Sequence, residues 1–127
     1  MKIAETGKYT IEVDKPKNRV YFKIRGFWNS PADVPNYLSD WQRAIREVTS
    51  GFTILSDVRE MKTPQPEVGE LHHRSQAMLV TAGLRKTAEL VPAGSIEKSV
   101  LQRYAKESGM TKGSFENQTE AEAWLDT

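Results

Sequence analysis

The chain has 127 residues, 38% of them hydrophobic and 28% charged, which is the balance of one globular domain spanning 1–127 and not of a disordered chain. Eighteen basic residues against 17 acidic ones leave a net charge of +1 with the signs interspersed, which argues against a nucleic-acid partner. There is no cysteine, so disulfides, thiol catalysis and cysteine-ligated metals are excluded.

Met1–Gly7 is mixed and polar and lacks the apolar stretch of a signal peptide. No window approaches the ~20 apolar residues of a membrane span, so the expected location is the cytoplasm. Tyr9, Ile11 and Val13 alternate with polar residues, and so do Val20, Phe22 and Ile24. The four residues Lys15-Pro16-Lys17-Asn18 between them carry turn chemistry, so the two runs predict an antiparallel hairpin ended by Gly26. Asn29-Ser30-Pro31 signals a helix start, with Asp33 as a rival cap because of Pro35. Val34, Leu38, Trp41, Ile45 and Val48 make one apolar stripe, and Gly51 stops the helix.

Phe52–Leu55 is a nearly unbroken apolar run, as in a strand covered on both faces, and Ser56-Asp57-Val58 ends it. Arg59–Pro66 reads as a loop. A second helix is expected from near Glu67 to Ala82, closed by Gly83, with Val68, Leu71, Ser75, Met78, Leu79 and Ala82 inward. Thr87–Val91 is a fourth strand. Ser95 caps a third helix carrying Ile96, Val100, Leu101 and Tyr104, with Gly109 as its stop. Ser114-Phe115-Glu116 is a last strand, and Thr119 with Glu122 forms a capping box for a helix that buries Trp124 and Leu125. The order ββαβαβαβα predicts an α/β domain with a mixed, mostly parallel sheet and an N-terminal β-hairpin.

This order resembles the SpoIIAA-like family, which shares the STAS fold of anti-sigma-factor antagonists. The resemblance is carried by the hairpin opening, the helix with Leu38 and Trp41, the strand ending at Asp57, and the closing segment Phe115–Leu125. It implies a single SpoIIAA/STAS-like domain that works by binding a protein. In partner-switching members, a serine just beyond an aspartate is phosphorylated to block the partner kinase. Here Val58-Arg59-Glu60-Met61-Lys62 follows Asp57, and Thr63 is the nearest downstream hydroxyl, so the switch is absent at that place.

No nucleophile elbow, Walker loop or dinucleotide fingerprint is present, so the chain reads as non-enzymatic and free of cofactors. His72 and His73 point about 100° apart on a helix and cannot share a metal. Glu70 and His73 form a single Glu-x-x-His pair where a di-iron bundle needs two. Both histidines read as partly exposed on the helix surface. Ligands of open α/β sheets bind beyond the carboxyl ends of the strands. That rule nominates Asp57, Arg59, Lys62 and Ser95, with Ser95 at a helix N-terminus suited to an anion. Phe27 and Trp28 are the candidate partner interface, for a second copy or another protein. The alternative is a lipophilic or anionic small ligand under the second helix, near Met61, Met78 and Leu79, in a pocket of roughly 300 Å³ or more.

Overall fold

The computed structural model describes residues 1–62, 65–92 and 111–127. Six strands form one sheet in sequence order: β1 (Lys2–Glu5), β2 (Tyr9–Asp14), β3 (Arg19–Gly26), β4 (Thr53–Met61), β5 (Lys86–Leu90) and β6 (Lys112–Phe115). β1, β2 and β3 pair antiparallel, whereas β3, β4, β5 and β6 pair parallel. The helices are α1 (Tyr37–Ile45), α2 (Pro66–Thr81) and α3 (Gln118–Leu125), with a 3-10 turn at Pro31–Asp33 before α1. The expected α/β class, mixed sheet and opening hairpin are therefore present.

Period two on the hairpin decides which face is buried. Tyr9, Ile11, Val13, Val20, Phe22 and Ile24 join Ile54 and Val58 on the front face, beneath Trp41 of α1 and Val68 and Leu79 of α2. Leu55, Ala88 and Leu90 face the other way and pack on Ala121 and Leu125 of α3. Arg19, 3% exposed, ties α3 down: its guanidinium donates to Glu122 at 2.5 Å and Asp126 at 2.6 Å, and its Nε to Thr53 Oγ1 at 3.0 Å.

Several boundaries differ from the sequence reading, each for a local reason. β1 was not expected; it is four residues long and irregular between Lys2 and Ala4, so no alternation marks it. α1 stops at Ile45, leaving Val34 and Val48 of the expected stripe outside it, although Val34 is still buried. β4 runs on through Arg59 and Glu60 to Met61, because an irregularity opposite Lys23 and Arg25 lets it keep pairing with β3. α2 buries Val68, Gly69, His72, Ser75 and Leu79, a stripe rotated from the expected one, with Leu71, Met78 and Ala82 only half-buried. The cap of α3 is Asn117, whose side chain accepts from Glu120 N at 2.8 Å, in place of Thr119. The expected helix opened by Ser95 lies outside the described residues.

Gly83 does end α2, and the reason is geometric. Its φ is +102°, and an added Cβ would lie 2.9 Å from Ser50 Cβ and 3.0 Å from Ser50 Cα. Gly83→Ala is expected to destabilise the fold by about 2 kcal/mol. Urea denaturation measures it, with a lowered midpoint and an unchanged slope as the expected outcome.

Candidate functional site

Two polar regions stand out: a rim at the carboxyl ends of β3 and β4, and a small cavity beneath α2.

The rim is built where the chain leaves the sheet. Gly26 takes φ +65° and turns β3 off its line. The next two residues then part company. Phe27 is 37% exposed, while Trp28 is 2% exposed and its Nε1 donates to Lys8 O at 3.2 Å. Trp28 stacks on His72 with ring centroids 5.1 Å apart, so the expected interface pair reduces to Phe27 alone. Backbone bonds gather cations around it. Arg25 N donates to Lys8 O at 2.9 Å, and Lys62 N donates to Gly26 O at 3.0 Å. Lys8 Nζ reaches Phe27 O at 3.0 Å, and Arg25 donates to Thr6 O at 3.4 Å. Among the described residues, no carboxylate forms an ion pair with Lys8, Arg25 or Lys62.

Asp57 and Arg59, expected to meet a ligand, meet each other. Arg59 Nε and a terminal nitrogen bind the two carboxylate oxygens at 3.0 and 2.8 Å. Burial pulls the Asp57 carboxyl upward, but the bonds and charge of Arg59 outweigh it, and the group stays below its ordinary range. Lys23 pairs with Glu60 at 2.5 Å. Lys8, Lys23, Arg25, Arg59 and Lys62 thus stand against Asp57, Glu60 and Glu5, whose carboxylate feels the charge of Arg25, a local surplus of two positive charges in a chain whose net charge is +1. Beside the rim, an open depression of about 200 Å³ lies on the back of the sheet, between Lys23, Arg25, Asp57 and Gln118 of α3. Ser95 lies outside the described residues.

The cavity under α2 has a volume of about 40 Å³. Its apolar side is Phe22, Ile54, Trp41 and Leu79; its polar side is Tyr37, His72, Ser75, Gln76, Thr87 and the pair Glu89–Lys112. The volume is far below the roughly 300 Å³ of a ligand pocket, so the described cavity does not house the lipophilic ligand considered from sequence. His72 is 2% exposed, a correction to its expected surface position; Val68, His72, Ser75 and Leu79 share one side of α2 at helical spacing. His73 is half-buried and Glu70 exposed. Tyr37 Oη meets His72 Nδ1 at 3.2 Å and Ser75 Oγ at 3.5 Å, and Ser75 Oγ donates to His72 O at 2.9 Å. Burial pushes the Tyr37 hydroxyl up to about 12 and the His72 imidazole down to about 4, so both are neutral near pH 7. Glu89 and Lys112 form a buried pair at 3.0 Å. Among the described residues, no cluster of three His, Asp or Glu side chains could hold a metal ion, and no helix is long and apolar enough to cross a membrane.

Comparison with known proteins bears on the fold. A crystal structure at 2.25 Å resolution, of an uncharacterized protein from the DUF3478 family with a SpoIIAA-like fold from Shewanella loihica PV-4, matches with a TM-score of 0.71. The match covers 96% of this chain and 97% of that one. The fold is SpoIIAA-like. At 13% identity, the likeness extends to the SpoIIAA-like fold and not to a shared activity. No protein-family model and no curated protein matches the sequence. Within the SpoIIAA-like frame, Val58 beyond Asp57 is a core residue, 1% exposed, and Arg59 is the aspartate's partner.

The sequence signal for Lys8 and Arg25 was absent, because their importance comes from sheet register. The signal for His72 was present in the stripe it shares with Val68, Ser75 and Leu79. Its burial sets a pH dependence. In the unfolded chain His72 protonates near 6.5, in the folded protein near 4, so the unfolded state binds more protons in between. The contribution is whole above about pH 6.5 and is lost as pH falls, by about 2 kcal/mol at pH 5 and about 3 at pH 4. Urea midpoints at pH 7 and 5 are expected to differ by this amount in the wild type and to converge in His72→Gln.

Proposed function

We propose that the chain is a non-enzymatic regulatory module that binds an acidic partner protein through the rim at the carboxyl ends of β3 and β4. The observation that carries this reading is Phe27, exposed among Lys8, Arg25 and Lys62, which have no carboxylate partners among the described residues. Exposed aromatics and arginines are the side chains most enriched in interfaces. Cations not already neutralised within the fold are available to acidic groups on a partner, and they raise the association rate at low salt. The position also suits the fold, since open α/β sheets present ligands beyond the carboxyl ends of their strands.

The reading includes no serine switch beside Asp57. Val58 is buried and Arg59 is committed to the aspartate, so partner binding rests on the rim itself. Tyr37, His72 and the Glu89–Lys112 pair are assigned to holding the fold, because each is nearly fully buried and bonded to another buried side chain.

Affinity capture from the native source, followed by mass spectrometry and titration of the captured protein, tests the reading. The partner is expected to be acidic and its binding to weaken steeply with salt. Phe27→Ala and Lys62→Glu are each expected to weaken it by about tenfold or more, the loss of one interface anchor or charge. Neither replaces a buried side chain, so both variants should fold. Equal affinity of both variants, or capture of a nucleic acid in place of a protein, contradicts the reading.

A further inference from the structure

The cavity beneath α2 is lined by polar atoms that the fold leaves unsatisfied. His72 Nε2, Gln76 Oε1, Thr87 Oγ1 and Trp41 Nε1 are buried and have no hydrogen-bond partner among the described residues. His72 and Thr87 are 2% and 3% exposed, and both line the cavity. An orphaned buried polar group is costly, so four around one space call for an occupant.

The chemistry of the lining defines that occupant. Tyr37 keeps its proton and is nearer to His72 Nδ1 (3.2 Å) than to Ser75 Oγ (3.5 Å), so it donates to Nδ1. A neutral imidazole accepting at Nδ1 carries its hydrogen on Nε2, which therefore presents a donor to the cavity. Gln76 Oε1 presents an acceptor, and Thr87 Oγ1 serves as either. An anion could accept from His72 but could not satisfy Gln76; a metal cation would face the His72 N–H. Glu89 and Lys112 neutralise each other at 3.0 Å, so the lining carries no net charge to hold an ion. The occupant is neutral, both donor and acceptor, and small enough for about 40 Å³.

We propose that this cavity is a built hydration site, in which two or three ordered waters join His72 and Gln76 of α2 to Thr87 of β5. Each water needs about 10–15 Å³ of such space and two to four polar partners, and the site offers both. Helix α2 is then held to this part of the sheet through exchangeable water as well as through the apolar contacts of Val68 and Leu79.

A crystal structure at about 1.5 Å, with Thr87→Val alongside the wild type, tests this. Water within hydrogen-bond distance of His72 Nε2 is expected. An empty cavity, or density for a larger molecule, overturns the proposal. Thr87→Val keeps the shape of the side chain and gives an independent reading. If water bridges the hydroxyl, the variant loses about 3 °C or more in Tm. If the cavity is dry, removing an unsatisfied hydroxyl leaves Tm unchanged or raises it, and that result overturns the proposal even without crystals.

Discussion

The constraint on which this structure turns is the double role of β3. It pairs antiparallel with β2 and parallel with β4, so it is the seam between a hairpin and a parallel sheet. A parallel partner cannot be reached by a tight turn, so the chain must leave the carboxyl end of β3 and cross back through α1. The departure point is Gly26, and it divides two adjacent aromatics between core and solvent. Trp28 enters the cluster of Tyr9, Tyr37 and His72, and Phe27 is left outside. The same register sets Arg25 beside Lys8 and the main chain of Gly26 beside Lys62. The basic rim thus follows from the topology.

Among the described residues, the two faces of the sheet carry different elements. The front face receives α1 and α2 and buries a large aromatic cluster, with Phe22 meeting Trp41 edge to face at 4.9 Å. Among the described residues, the back face receives the eight-residue α3, anchored by Arg19 from beneath and by Asn117 at its start. Polar groups follow this division. On the front they are buried, neutral or internally paired, and they hold α2 in place. At the carboxyl rim they are exposed and carry an excess of positive charge. Buried structural polarity and exposed rim charge therefore occupy different places.

Much of the architecture was legible in the sequence. Alternation at Tyr9–Val13 and Val20–Ile24, the apolar run at Phe52–Leu55 and the stop at Gly83 each have one local cause, and each located its element; Gly51 did not, since α1 already ends at Ile45. β1 was not legible, because four residues with an irregular register leave no period to read. The extension of β4 to Met61 was hidden for a related reason: its charged residues look like a loop, and only pairing with β3 makes them strand. The site was legible in part. The carboxyl-end rule nominated Lys62 and Arg59, but it could not show that Arg59 spends its charge on Asp57 or that Lys8 is a neighbour. The burial of His72 is readable instead from its 3.6-residue companions Val68, Ser75 and Leu79.

On the proposed reading, recognition belongs to the rim and the buried groups under α2 serve the fold. An amide chemical-shift map of the isotope-labelled protein, titrated with its captured partner, tests this most directly. The account predicts that the largest changes cluster at Lys8, Arg25–Phe27 and Arg59–Lys62, while the amides of His72, Ser75 and Thr87 hold their positions. Changes centred on α2 and β5, with the rim unaffected, would contradict it.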